Sequence, residues 1–299
     1  MLRTMRSRRR QRGRDRSFEP EAPRTWEETF LWFRSQPENA RLSIECYFDD
    51  PIEGAAARFL ASSEWAAARG LLSEARGRAL DVGSGRGIVA WALAADGWAV
   101  DAVEPDPSLI VGAHAIRGLC RRTGAPIRIH QAVGEALPFR AESFDLVYGR
   151  QVLHHMTDPD AFCREAARVL RPGGVLILSR EHVVTFPGDL KRFLERHSTQ
   201  FMTGGEYAYR VRAYRDFLEG AGLDVTRVLS TIGSEINLFP HTRVSLRALV
   251  AEKLFLPSGT LMPDWTLSVL DFLYKEPGRP YTFVAVKPEG ARRRGDPAS

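Results

Sequence analysis

Asp81, Gly83, Gly85 and Gly87 recur at two-residue steps, and Glu104 stands seventeen residues beyond the last of them. Ala79-Leu80-Asp81-Val82 reads as the end of a strand, and the glycines read as a tight turn opening a helix over about 86–96. Glycine lets a backbone pass close to a ligand and take angles closed to other residues. An acidic residue at the end of the next strand, here Glu104, is where a doubly wound α/β sheet grips a ribose diol. These five residues point to a nucleoside-containing cofactor. Proton transfer needs a different set, and His154, His155, His182 and His241 are side chains that can act as bases near neutral pH.

Spacing narrows the cofactor. The dinucleotide fingerprint G-x-G-x-x-G requires a third glycine at position 88, where this chain has Ile88 and places the glycine at Gly87 instead. A pyrophosphate favours the amides and dipole of a helix N-terminus. Asp81, just before the turn, opposes a phosphate and suits a cationic ligand. The pattern is D-x-G-x-G-x-G, which resembles motif I of class I S-adenosylmethionine-dependent methyltransferases. The cofactor that this resemblance implies carries a sulfonium, an ammonium and a carboxylate, and no phosphate. Gly87 also has a plainer reading, as a position where a helix packs closely on the sheet.

The elements that must hold these residues follow from periodicity. Trp26, Phe30 and Phe33, then Ala57, Phe59, Leu60, Trp65 and Leu71, recur at helical steps. Gln36-Pro37 and Asp49-Asp50-Pro51 divide this region into three or four helices. Such aromatic faces need a neighbour, so residues 21–76 are expected to cap the domain that follows. From Arg78 strands and helices alternate, the mark of a parallel α/β sheet. Strands are expected at 78–83, 99–104, 127–131, 144–149, 174–180, 224–231 and 281–287, with helices near 86–96, 107–122 and 159–170. Asp106-Pro107 and Asp158-Pro159 each place an N-cap carboxylate before a first-turn proline. Arg171-Pro172-Gly173-Gly174 ends the third of these helices. Residues 232–280 are longer than a hairpin needs and are expected to form a lid or binding element. His182 to Tyr209 is a second unusual stretch.

Residues 78–180 resemble the type 11 methyltransferase domain, the group that includes ubiquinone/menaquinone-biosynthesis methyltransferases. The likeness continues through Ala136-Leu137-Pro138-Phe139, Ser143-Phe144-Asp145-Leu146-Val147, Val152-Leu153-His154-His155 and Arg168-Val169-Leu170-Arg171-Pro172-Gly173-Gly174. Tyr47-Phe48-Asp49-Asp50-Pro51 and Glu276-Pro277-Gly278-Arg279 give the flanking regions a fainter likeness to uncharacterised bacterial methyltransferases. The resemblance implies a Rossmann-like seven-stranded sheet in the order 3-2-1-4-5-7-6, with its last strand antiparallel. It implies that Asp81, Gly83 and Gly85, with Gly87 in the same turn, line the methionine part of S-adenosylmethionine. Glu104 would take both ribose hydroxyls and Pro105 would pack on the adenine face. Gly134 and Glu135 would sit at the adenine edge, and Arg150 and Gln151 would face the methyl end. Val133 departs from the aspartate that family members often have there to bind the adenine amino group.

Bulk properties bound the rest. The chain has 299 residues, 44% hydrophobic, enough for a sizeable core, and no apolar run near the roughly 20 residues that span a bilayer. Cys46, Cys120 and Cys163 fit neither a disulfide framework nor a zinc site, which favours reduced thiols, a cytoplasmic location and no bound metal. The net charge is +5, but residues 1–16 carry +7 and residues 291–299 carry +2, leaving about −4 on residues 17–290. The basicity therefore sits in two tails, 1–20 and 291–299, expected to be disordered. An arginine tail can touch RNA or an anionic surface, yet the acidic body does not favour a nucleic-acid partner.

The expected activity is methyl transfer to a small-molecule acceptor, with an oxygen acceptor first and nitrogen or carbon second. A sugar, a quinone or a polyketide-like compound would fit the aromatic flanks. His182 and His155 are the candidate bases, and Arg180, Glu181 and Tyr207 the candidate acceptor contacts. The chain lacks the Asn/Asp-Pro-Pro-aromatic loop of amino-methylating nucleic-acid enzymes, having Gly149-Arg150-Gln151 there. It also lacks a Pro-Cys nucleophile. A non-catalytic cofactor-binding protein and a nucleic-acid-associated protein remain the alternatives.

Overall fold

In the computed structural model, residues 25–196, 206–253, 255 and 263–290 are described. The two basic tails lie outside the described residues. The sheet has the strands β1 (Arg78–Val82), β2 (Ala99–Val103), β3 (Arg128–His130), β4 (Phe144–Arg150), β5 (Leu170–Val183), β6 (Asp224–Leu229) and β7 (Arg279–Val286). Their order is β3-β2-β1-β4-β5-β7-β6. The pairs from β3 to β5 are parallel, and β7 runs antiparallel to both β5 and β6. This is the arrangement expected from the sequence, because near-continuous apolar strands joined by helices bury both sheet faces.

Each face has its own core. On one, α5 (Ile88–Ala95) and α6 (Ala113–Thr123) pack with α3 (Ile52–Leu60) and α4 (Ser63–Arg69). Tyr47, Phe59, Trp65, Leu93, Trp98 and Ile116 form the bulk of that cluster. On the other, α7 (Pro159–Val169) and α9 (Val211–Gly220) bury Phe162, Val169, Tyr214 and Leu218 against Leu80, Val147 and Phe283. The helices before β1, which begin with α1 (Trp26–Ser35) and α2 (Ala40–Glu45), are thus continuous with the sheet core. The Trp65 indole donates to Asp96 at 2.9 Å, and Arg69 pairs with the same carboxylate at 2.7 Å, tying α4 to the end of α5.

Two element boundaries differ from the sequence expectation for local reasons. The helix expected at 107–122 starts at Ala113. Asp106 Oδ1 accepts from Ser108 N at 2.7 Å, and Ser108 Oγ accepts from Ile110 N and Val111 N. These side-chain bonds offer the backbone a turn in place of a first helical turn. Strand β5 starts at Leu170, directly after α7, and runs to Val183, well beyond 174–180. Gly173 sits inside it at φ +77°, where the ladder with β4 shifts register. By contrast, Asp158 caps α7 as expected, accepting from Ala161 N at 2.8 Å with Pro159 in the first turn.

Beyond β5 stands α8 (Asp189–Arg196), and after β6 come α10 (Glu235–Leu238), α11 (Arg243–Lys253) and α12 (Asp264–Leu273). Helix α10 lies against α4, and Phe239 stacks on Tyr47 with ring centroids 5.4 Å apart. Segments far apart in sequence therefore meet over the carboxyl ends of β4 and β5.

Candidate functional site

The glycine turn leaves β1 beside the end of β2. Gly83 N and Ser84 N both donate to Val103 O, at 2.9 and 3.1 Å. Gly85 takes φ +53°, and a Cβ added there would meet nothing within 4 Å. The backbone at Gly85 thus faces open space in a conformation that a side chain resists. Gly87 is different. A Cβ there would stand 2.9 Å from Ile116 Cγ2, so this glycine admits α6 against α5 and supports the packing reading. At Gly83 a Cβ would press on Val152, and at Gly134 on Phe162.

Two carboxylates flank the turn. Glu104 is buried and accepts from Gly85 N at 2.7 Å and from Asp106 N at 3.0 Å. Each oxygen has a second lone pair for an outside donor such as a ribose hydroxyl. Burial raises its pKa against those two hydrogen bonds. Asp81 is also buried and accepts from Ala90 N at 3.1 Å. Burial pushes its pKa up to about 7, against the bond from Ala90, and the nearby Glu104 adds to the rise. A buried acid held this far above its ordinary range is a group that a cationic ligand would ionise. Pro105 is exposed at the rim.

Five of the candidate site residues have side-chain partners within the protein. Arg150, expected at the methyl end of the cofactor, forms a forked pair with Glu64 at 2.6 and 3.1 Å and donates to Gln151 Oε1 at 3.0 Å. Gln151, at φ +54°, is the residue on which the chain turns after β4. Glu135, expected at the adenine edge, accepts from Thr157 N at 2.9 Å and so braces the loop before α7. Arg180 and Glu181, expected to touch an acceptor, also bond within the protein. Arg180 donates to Ile236 O and Phe239 O, and Glu181 accepts from the backbone of Val152, Leu153 and His154. Arg150, Arg180 and Glu181 thus find partners in segments remote in sequence, while the Glu135 contact is an exposed one.

The histidines converge. A 3₁₀ turn at Leu153–His155 follows β4, held by Glu181 from β5. His154 Nδ1 lies 2.6 Å from Glu181 Oε2, and the ring of His154 stands 4.2 Å from that of His155 and 4.5 Å from that of His182. His182 Nδ1 lies 2.8 Å from Gly278 O. A carbonyl oxygen only accepts, so Nδ1 carries the proton and Nε2 keeps a lone pair. Glu206 Oε2 is 3.9 Å from Nε2 of both His154 and His155. His241 is exposed outside this group. Tyr207 is exposed and its ring lies tilted against that of Tyr209 at 4.5 Å.

Helix α1 reaches both halves of this region. Trp26 meets His155 edge-on at 5.6 Å, and Glu27 Oε2 accepts from Ser108 Oγ beyond β2. Residue patterning assigned no site role to Trp26, Glu27, Glu64 or Glu206. The sole available signal was their place among helical aromatics or in the unusual stretch after β5. A separate cavity of about 590 Å³, lined by Leu31, Arg34, Arg86 and His114, borders the turn at Arg86 but includes neither Asp81 nor Glu104. Among the described residues no helix is long and apolar enough to cross a membrane, and the three cysteines are free.

Residues 80–178 match the family model of the methyltransferase domain. An uncharacterized methyltransferase of Mycobacterium marinum is 40% identical over 121 residues, covering 40% of this chain and 45% of that protein. The ubiquinone biosynthesis O-methyltransferase of Xanthomonas oryzae is 32% identical over 160 residues, covering 51% of this chain and 61% of that protein. The chain thus spans about half the length of the curated relatives it matches. Among solved structures, a Haemonchus contortus N-methyltransferase in complex with S-adenosylhomocysteine superposes with a TM-score of 0.54 at 18% identity, over 87% of this chain and 61% of that one. The [4+2]-cyclase SpnF superposes with a TM-score of 0.51 at 21% identity, over 79% of this chain and 82% of that one. Identities this low show the fold alone, and the cyclase is a reminder that fold does not fix chemistry. Residues 80–178 are a methyltransferase domain of the type 11 family, carried on a class I seven-stranded sheet.

Proposed function

We propose that the chain transfers a methyl group from S-adenosylmethionine to a small-molecule acceptor, most simply to an oxygen. The observation that carries this reading is the turn at Gly85, open to a ligand and flanked by the buried carboxylates of Asp81 and Glu104. Glu104 would hold the ribose hydroxyls, and the backbone at Gly83 and Gly85 would run along the methionine part. Asp81 supplies negative charge beside the turn for the cationic end. The cofactor supplies an electrophilic methyl group on a good leaving group. The protein's own work is to orient the acceptor and accept its proton. His182 fits the second task, because Gly278 O fixes its tautomer and leaves Nε2 basic. The X. oryzae relative is named as an O-methyltransferase, which supports oxygen as the acceptor atom.

We further propose that residues 21–76 and the insertion at about 232–280 act as walls around the acceptor. Their aromatic side chains favour a partly apolar compound. Calorimetry on the purified chain is expected to record tight uptake of S-adenosylhomocysteine and none of NADH. The opposite pattern would remove the reading. Incubation with methyl-labelled S-adenosylmethionine and hydroxyl-bearing acceptors then tests transfer itself. Labelling restricted to amine acceptors would replace oxygen by nitrogen.

A further inference from the structure

We propose that His154, His155 and Glu206 form a binding site for one divalent transition-metal ion of the zinc class, beyond the carboxyl ends of β4 and β5. Each residue offers one ligand atom, and these atoms all lie within 4.8 Å of one another. Nε2 of each histidine is 3.9 Å from Glu206 Oε2. Bond lengths of about 2.0–2.2 Å to histidine nitrogen and carboxylate oxygen put two ligand atoms of a tetrahedral ion roughly 3.3 Å apart. The observed spacing therefore needs each ligand atom to move by at most about 0.8 Å to close on an ion. Imidazole and carboxylate together suit zinc, cobalt or nickel better than calcium or magnesium.

A second feature, outside the ligand set, points the same way. His154 Nδ1 meets the Glu181 carboxylate at 2.6 Å, and Glu181 is itself fixed by three backbone N–H groups. A metal-bound histidine commonly donates its other ring N–H to a carboxylate, which sets the tautomer and aims the ligand nitrogen. Here that contact turns Nε2 of His154 toward Glu206. His154 and Glu206 are buried and His155 is partly open, so the trio meets solvent at His155. Three protein ligands leave a coordination position vacant, which is the form that catalytic sites take. A water or an acceptor oxygen bound there would lose its proton more easily. That use of the ion rests on methyl transfer being the reaction; binding of the ion does not. In this arrangement His155 is a ligand, and His182 is left as the base.

The full chain, stripped with a chelator, is titrated with zinc by calorimetry and with cobalt by visible absorption. One equivalent of zinc at micromolar or tighter Kd, with ligand-field bands for cobalt, is expected. Glu206→Gln and His155→Gln should each weaken zinc binding at least tenfold, and Glu206→Asp should restore part of it. His155 is partly exposed, so its variant keeps the test open if Glu206→Gln does not fold. Absence of stoichiometric zinc binding, or unchanged affinity in both variants, would overturn the site. Uptake of S-adenosylhomocysteine by the same metal-free samples reports separately on the cofactor reading.

Discussion

Gly85 and Gly87 look alike in the sequence, and their surroundings give them different work. At Gly85 an alanine has room but must hold φ +53°, which costs about 1 kcal/mol. The expected outcome for Gly85→Ala is a folded protein with uptake of S-adenosylhomocysteine weakened at least tenfold. Gly87→Ala adds a clash with Ile116 to the same backbone strain, so it should lower the thermal midpoint. Asp81 carries a further test. Its folded pKa of about 7 lies above the ordinary aspartate value, so the free protein holds a proton there up to near neutrality. A cationic ligand that needs the carboxylate must displace that proton. Binding should therefore tighten as pH rises from about 5 to 7, with proton release visible in calorimetry across buffers of different ionisation enthalpy. Asp81→Asn should abolish the proton release. His182→Ala should leave cofactor uptake intact and lower turnover at least tenfold, and unchanged turnover would remove the base assignment.

Between elements, the contact that matters most is one the sequence did not announce. Glu64 of α4 is fully buried and forks onto Arg150 at the end of β4, with Arg180 of β5 at 3.9 Å. Arg180 also donates to Ile236 O and Phe239 O, so one carboxylate links the early helices, two central strands and the α10 region. Removing one partner of a buried pair strands the other charge, at about 3–5 kcal/mol. Glu64→Ala should lower the urea midpoint accordingly, and Glu64→Leu with Arg150→Met should recover much of that loss. Equal midpoints for Glu64→Ala and the parent would show that the pair contributes nothing. Strand positions and the Asp158-Pro159 start of α7 were legible, because each depends on neighbouring residues, whereas the sheet order was what the family resemblance implied. The start of α6 was not, because Ser108, bonded by Glu27 from α1, holds residues 108–111 in a turn.

For the whole molecule, acid stability should follow Asp101. It lies buried in β2 among Arg78, Arg128 and His130. Burial works to raise its pKa, and the hydrogen bonds from Arg128, His130 and Arg78 outweigh that and hold it at about 2. A folded value below the unfolded one gives stability that is present above about pH 4 and is lost as pH falls toward 2. The contribution is on the order of 2 kcal/mol at neutral pH. Asp101→Asn should lose it, and its urea midpoint should fall less between pH 5 and 3 than the parent's. The basic tails belong to this scale as well. Deleting residues 1–16 removes a charge of +7 from a body that is net acidic, and cofactor uptake should not change.

By itself, the order of residues determined where the strands and helices lie, the glycine turn and the acidic residue at the end of the next strand. Those features arise from alternation, capping and turn chemistry acting over a few positions. Tertiary structure decided which polar side chains face open space and which are consumed. Arg150, Glu135, Arg180 and Glu181 each met a partner within the protein, while Glu206 and two neighbouring histidines came together from either side of β5. The physical reason is desolvation. A buried charge or amide must find a partner wherever the fold brings one, and that partner's position is set by packing, not by proximity in the chain.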